Sequence, residues 1–432
     1  MPFTDLKALY DQPPPAFGKE MLKHFAMDPA YVNLNNGSYG TPPRAVLQAA
    51  FDITTEIEAN PERFHRFGYQ ERLKEARANI AGLIGAHQDE CFLVNNATTG
   101  VGTVLRNFEW EKDDVIITFN TSYSAMANQA QYLSDVPPHP KVVVFQLNFP
   151  TTFASIVSSF TSLLASPQAQ VGPNNKRVVV IDSIISNPGV LLPWQELVKI
   201  AKDAGVWTIV DAAHSIGQEL DINLGEVQPD FWTSNCHKWL YAKRSCAVLY
   251  IPFRNQHIIK TTVPTSNYYV ALDKRNGNPN LLEQFEWLGT IDFAPFLSVN
   301  EAFKFRAWLG GEHKINAYCH DIALKAGKRL AEILGTEVMD EEGSQTLNMV
   351  NVALPLPTSL KWSNALYKRL NGALIEDHNT YSAWFFHNGK WWTRVSLQVF
   401  NEVDEVEVLG KAWLQVSKDL VKDLEDGTFK SE

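Results

Sequence analysis

The chain is expected to fold as an α/β protein, with a large domain on a mainly parallel sheet and a smaller C-terminal α/β domain. Three observations predict this. Short β-branched runs alternate with helical patterns through the central two-thirds of the 432 residues. The runs are apolar along their length, as strands covered on both faces must be. The chain is also long enough for two to three domains' worth of core.

In chain order, DVIITF (114–119), KVVVFQL (141–147), KRVVVIDSI (176–184) and VWTIVDA (206–212) read as buried strands. Between the last two, LPWQELVKIAKDAG carries apolar residues at helical spacing and ends in Gly205, a C-cap signal. Strands alternating with helices imply right-handed crossovers and parallel pairing. The shorter runs CFLV, DFWTS and SCAVLYI add further strand-like pieces. A long helical pattern over 298–335 closes the sheet region. After it, MVNVALPL, WWTRVSLQVFN and the helical VDEVEVLGKAWLQVSKDLVKDL suit the smaller domain. The expected division is 1–35, an N-terminal arm packing on the small domain; 36–295, the large domain; and 296–432, the small domain.

Composition narrows the functional classes. A net charge of −10 argues against nucleic acid or an anionic membrane as the main partner. No 18-residue apolar stretch is present, the first residues lack a signal-peptide core, and FKSE at the end is not a recognised address. Four cysteines, Cys91, Cys236, Cys246 and Cys319, are widely spaced with no C-x-x-C pair, so a reduced, cytoplasmic protein without structural zinc or other metal is expected.

The most telling string is TSNCHKW at 233–239. Lys238 stands between the strand-like DFWTS and the apolar SCAVLYI, beside core rather than on a solvated helix face. An ammonium carried into apolar surroundings loses basicity and becomes a usable amine nucleophile. Upstream, Asp211 ends WTIVDA, and ligands of open α/β sheets gather at the carboxyl ends of such strands. A lysine able to form a Schiff base and an aspartate able to hold a pyridinium proton are the two groups that pyridoxal 5′-phosphate needs. The alternative is a buried lysine paired with some other carboxylate.

Further residues bear on that choice. Asn95-Asn96-Ala97-Thr98-Thr99-Gly100 lies at a strand-to-helix turn, where backbone N–H groups and the Thr98 and Thr99 hydroxyls make a phosphate site, or where either threonine serves as an ordinary N-cap. Tyr123 follows DVIITF and can stack on a pyridine ring, or sit in the core. His214 can donate to a ring oxygen or satisfy a loop carbonyl, and the small Ala212 and Ala213 leave room for a ring. Arg394, in alternating strand sequence, offers a bidentate fork for a substrate α-carboxylate, or takes part in a surface cross-strand ion pair.

LNNGSYG (34–40), NNATTG (95–100), VDAAHSIG (210–217), SNCHKWL (234–240), WLGTIDFAPFL (287–297) and TRVSLQVFN (393–401) together resemble the class V aminotransferase family of fold-type I pyridoxal-phosphate enzymes. The similarity is greatest to the branch of isopenicillin N epimerase and hercynylcysteine sulfoxide lyase, and it runs over roughly 30–415. The resemblance implies a large domain with a seven-stranded type of sheet. It implies Lys238 as the Schiff-base lysine and Cα base, and Asp211 as the pyridinium partner. His214 matches the contact to the ring oxygen and Tyr123 the stacking aromatic. Ala97, Thr98, Thr99, Ser234 and Asn235, with His237 nearby, match the phosphate cradle. Ser186 and Asn187 match a polar contact to ring or substrate. Thr290 matches a residue reaching the phosphate of a second subunit, which implies a homodimer with shared sites. Arg394 matches the carboxylate clamp, Asn36 belongs to a loop lining the substrate pocket, and His65 and Arg66 lie in a segment near it.

Three chemistries on an amino-acid substrate compete: β- or γ-elimination, racemisation or epimerisation, and transamination, with cysteine desulfurase chemistry beside them. A persulfide-forming desulfurase needs a mobile cysteine in the small domain, and none occurs after Cys319. Epimerisation needs a second acid facing Lys238, for which Tyr123, Tyr268 and Tyr269 are candidates. Elimination, as in a C–S lyase, needs only Lys238 and a good leaving group. Aromatic residues Trp384, Phe385 and Phe386, with His387, suggest a mouth for a cationic or heterocyclic side chain, or else core. Such a mouth suits a betaine-bearing sulfoxide or a pyrrolidine-containing amino acid, the latter in a cyclisation resembling fungal loline-type secondary metabolism. A cofactor-binding scaffold without activity is the non-enzyme alternative.

Overall fold

In the computed structural model, residues 5–265, 268–274 and 280–429 are described. Seven strands form the large sheet: β1 Cys91–Val94, β2 Val115–Phe119, β3 Lys141–Phe145, β4 Arg177–Asp182, β5 Trp207–Asp211, β6 Phe231–Ser234 and β7 Ala247–Tyr250. Their order is β1-β7-β6-β5-β4-β2-β3. The inner pairs β2–β4, β4–β5 and β5–β6 and the outer pair β2–β3 are parallel, while β7 runs antiparallel to both β6 and β1. Val178 to Ile181 on β4 are fully buried, because apolar clusters cover both faces of the sheet. The exception is the edge strand β3, whose first residue, Lys141, is exposed, as a sheet edge requires.

Trp194–Asp203 forms the expected crossover helix, and Gly205 just beyond it takes the left-handed conformation at φ 68°. The long pattern over 298–335 divides into two helices, Ala294–Leu309 and Glu312–Leu334, parted at Gly310–Gly311. Both glycines have positive φ, 109° and 85°, which L side chains avoid. The boundary expected at 295–296 therefore falls at the start of a continuous helix, one that packs against Arg44–Ala59.

Beyond Gly311, strands β8 Met349–Ala353, β9 Ala383–His387 and β10 Lys390–Ser396 pair antiparallel in the order β9-β10-β8. Asn388 and Gly389, both at positive φ, make the two-residue turn between β9 and β10. Helix Glu312–Leu334 packs on β8 and against Glu405–Glu425, and these enclose a separate core. The N-terminal segment ties in at several points. Val32–Asn33 pairs with Thr380–Tyr381, the Ser396 N–H donates to the Leu34 carbonyl at 2.8 Å, and Met21 and Phe25 share a cluster with Phe305, Cys319 and Phe400.

One buried cation anchors the loop that carries Lys238. Arg306, 1 % exposed, donates to the Trp239 carbonyl at 2.8 Å and to the Gly217 carbonyl at 3.0 Å, and pairs with Glu312. Replacing Arg306 with Leu strands Glu312 and both carbonyls. The expected loss of about 3–5 kcal/mol should show as a lower denaturant midpoint with an unchanged slope.

Candidate active site

The carboxyl ends of β4, β5 and β6 open onto one cavity of about 390 Å³. It is lined by Ala97, Thr98, Tyr123, Ser186, Asn187, Asp211, His214, Asn235, His237, Lys238 and Arg394, together with Ser38, Tyr39, Asn96 and Asp182. Parallel strands end in register, so Asp182 and Asp211 are direct neighbours. Backbone close approach also holds the site together: a Cβ on Gly40 (φ 64°) would lie 1.8 Å from the His237 carbonyl oxygen. The N-terminal loop can therefore rest on the lysine loop only if residue 40 is glycine.

Lys238 Nζ lies 3.1 Å from His214 Nε2. The lysine opens partly onto the cavity but is otherwise ringed by protein. Burial lowers its pKa to about 7, the charge of Arg394 pushes the same way, and Asp211 opposes. The alternative of a lysine neutralised by its own carboxylate is not realised, since no ion pair to Lys238 occurs among the described residues. Burial also holds His214 well below its usual value, so it is neutral. Trp239 Nε1–H donates to His214 Nδ1 at 3.3 Å. An indole is only a donor, so the imidazole proton is assigned to Nε2, where it points to the Lys238 amine.

Asp211 accepts the Ala213 N–H at 3.1 Å, and burial raises its pKa to about 6. Asp182 is held well above the carboxylate range, first by burial and then by Asp211, while Ser122 Oγ lies 3.2 Å from its Oδ2. At neutral pH this adjacent pair bears one negative charge, seated on Asp211.

Arg394 is 1 % exposed. It donates to the Ser186 carbonyl at 2.6 Å, to Asn35 Oδ1 at 3.0 Å and to Ser38 Oγ at 2.9 Å. Its Nε is buried without a partner, and no carboxylate pairs with it among the described residues. The surface ion pair is thus excluded. A buried guanidinium that meets only neutral acceptors retains a strong demand for an anion.

Helix Ala97–Asn107 is capped by Asn96, which accepts the Thr99 N–H at 2.8 Å; neither threonine is the cap. The Ala97 N–H is taken by Asn235 Oδ1 at 2.9 Å. The N–H of Thr98 has no partner among the described residues, so a helix N-terminus with a free donor borders the cavity. Tyr123 begins helix Ser124–Asp135 and is 50 % exposed, so its ring is not spent in core.

Other expected residues lie elsewhere. Ser234 Oγ is turned into the protein, bonded to the Ala212 carbonyl and the Ile216 N–H. Thr99 Oγ1 is taken up by Asn96. Asn36 borders a neighbouring cavity. His65 packs near Trp287 and Phe293, Arg66 pairs with Glu62 at the surface, and Thr290 is exposed; none of the three lines the cavity of its own chain. Trp384 and Phe386 pack on Trp391, Phe385 packs on the large core, and His387 accepts the Phe149 N–H at 2.8 Å. None of these four lines the cavity. Asp182, Ser38, Tyr39 and Trp239 were not singled out from sequence, although Asp182 ends its strand as Asp211 does.

A reactive amine, a carboxylate fixed at a strand end, a free helix N-terminus and a half-exposed aromatic ring define a site for pyridoxal phosphate. The class V aminotransferase family model matches residues 32–409, and the chain belongs to that family. It is 34 % identical to an L-cysteine desulfhydrase-like protein, lolT1, of Epichloe uncinata, covering 94 % of this chain and 97 % of that one. It is 32 % identical to a hercynylcysteine sulfoxide lyase of Schizosaccharomyces pombe, covering 91 % and 96 %. A solved apo cysteine desulfurase of Thermococcus onnurineus superposes with a TM-score of 0.73 at 18 % identity, over 94 % of this chain and 100 % of that one. The cofactor is pyridoxal phosphate. When bound it supplies an electron sink for charge developing at the substrate Cα.

In the cofactor-free protein, borohydride trapping of pyridoxal phosphate on Lys238 should rise through about pH 7, because the amine is neutral only above its pKa. Arg394→Gln removes a repelling charge and should move that midpoint upward; an unmoved midpoint would remove Arg394 as a cause.

Proposed function

We propose that the chain is a C–S lyase acting on a cysteine-type amino acid. The observation that carries this reading is Arg394, a buried guanidinium in the same cavity as Lys238, with no carboxylate paired to it among the described residues. It receives the α-carboxylate and so presents Cα to the lysine amine. With a pKa of about 7, that amine can both take and return a proton near neutrality. The Cα–H proton passes to Lys238 and the C–S bond breaks with its electron pair leaving on sulfur. The leaving group is then protonated. The remaining three carbons depart as 2-aminoacrylate, which water converts to pyruvate and ammonia. The lyase and desulfhydrase-like names of two relatives at 32–34 % identity point the same way.

A second reading, loss of a γ-substituent followed by cyclisation, draws on the likeness to lolT1. It differs in product and shares the same lysine and clamp.

The active unit in this reading is a homodimer. Thr290 would reach the phosphate of the partner subunit, and His65 and Arg66 would border its pocket. His65 and Trp287 lie with ring centroids 5.9 Å apart, so these two segments form one surface, as a shared site requires. Four unpaired thiols suit a reducing compartment such as the cytoplasm.

The decisive measurement is mass spectrometry of products from a cysteine-conjugate sulfoxide in deuterated water. Pyruvate, ammonia and a released sulfur species are expected. A cyclised product from a γ-substituted substrate would favour the second reading, and deuterium at Cα alone would sink the lyase. Lys238→Ala should abolish turnover and reductive trapping together. Arg394→Ala should raise KM about 10- to 150-fold, from roughly 1.5–3 kcal/mol of lost charged hydrogen bonding; an unchanged KM would place Arg394 outside the pocket. A monomeric variant that still binds the cofactor tightly would refute sharing through Thr290.

A further inference from the structure

Trp239 follows Lys238 directly, yet its indole is fully buried and does not line the cavity. The ring packs with Ile184 and with Met349 of β8, and the carbonyl of the same residue is one of those held by Arg306. Ring and backbone are thus fixed from two sides. His214 is fixed as firmly: Gln218 donates to its carbonyl at 2.8 Å and accepts the Asn348 N–H at 3.0 Å. Its imidazole is buried, and each ring nitrogen meets a different neighbour. Trp239 Nε1–H lies 3.3 Å from Nδ1, and Lys238 Nζ lies 3.1 Å from Nε2.

An indole N–H can donate but cannot accept. The imidazolium and the Nδ1–H tautomer of His214 would both set a second proton against it. Only the Nε2–H tautomer satisfies Trp239, and the Nε2–H then meets the lone pair of an uncharged lysine amine. A donor aimed at a lysine nitrogen favours the neutral amine, whereas an acceptor in the same place would favour the ammonium.

We infer that Trp239 is a positioning residue for Lys238: its indole holds His214 as a fixed Nε2–H donor, and that donor favours the uncharged amine. Trp239 acts only through His214. The same hold removes His214 as an acid–base group, since it can take a second proton only by losing the indole bond. The inference does not depend on which substrate bond breaks after Lys238 has acted. Burial, Arg394 and Asp211 also act on Lys238, and Tyr39, Tyr123, Asp182 and His237 line the same cavity. The path through His214 must therefore be isolated from these.

The test uses the full-length chain, freed of cofactor and carrying isotope-labelled histidine. Nitrogen NMR, with the His214 signals assigned by their loss in His214→Leu, should show Nδ1 unprotonated at neutral pH. A proton on Nδ1 in the wild type would overturn the inference without any further variant. Borohydride trapping of pyridoxal phosphate on Lys238 is then followed against pH in wild type, Trp239→Phe, His214→Leu and the double variant. Trp239→Phe should move the midpoint upward by about 0.5–1 pH unit, the worth of one hydrogen bond. In the His214→Leu background the same substitution should leave the midpoint where it stands. An unmoved midpoint in Trp239→Phe, or an equal shift in both backgrounds, would reduce Trp239 to a packing residue and overturn the inference.

Discussion

Two cations in one small cavity set the terms for the rest of the site. Arg394 and Lys238 both open onto it, and no carboxylate pairs with Arg394 among the described residues. A guanidinium remains charged almost anywhere, while an ammonium can give up its proton. Burial first, and the charge of Arg394 second, lower the pKa of Lys238 to about 7, so its amine is neutral above that pH. The same arrangement leaves Arg394 in need of an anion. One buried cavity thus supplies both a nucleophilic base and a carboxylate receptor.

The negative side is arranged with similar economy. Asp182 and Asp211 are register partners on adjacent parallel strands, and both are almost fully buried. Two like charges so placed cannot both persist in a poorly solvated interior. Asp182 takes the proton and Asp211 keeps the charge, which the Ala213 N–H orients. The resulting single carboxylate suits a protonated ring nitrogen. Asp182 matters here because it limits the charge of the pair, a role that follows from strand register alone.

The fold was largely legible in the chain because parallel strands buried on both faces read as unbroken apolar runs, and β2 to β5 lie within the predicted segments. The grouping of Lys238, Asp211, His214, Tyr123 and Arg394 around one cavity was also legible, the first four from strand ends or turns and Arg394 from the inward face of a strand. What escaped depended on contacts between distant segments. The N-terminal loop meets the β10 strand through Asn35, Ser38 and Arg394, and nothing local in LNNGSYG announces that pairing. Ser234 looked like a phosphate ligand beside Asn235, yet alternation along β6 turns its hydroxyl into the sheet connection. For Trp384 to His387 the sequence left mouth and core both open, because aromatic residues look alike in either.

Likeness to a cysteine desulfurase at 18 % identity establishes the fold, and the cysteines decide whether its sulfur chemistry carries over. A sulfur acceptor needs an accessible thiol of low pKa. All four cysteines are buried. Cys319 lies within helix Glu312–Leu334, with its thiol raised to about 12 by burial. Cys236 and Cys246 are packed in the core beside the lysine loop, where burial holds the Cys246 thiol well above its ordinary value. No protein thiol is therefore placed to accept sulfur from the substrate. In the proposed lyase, sulfur would thus leave on a small molecule rather than on a protein thiol.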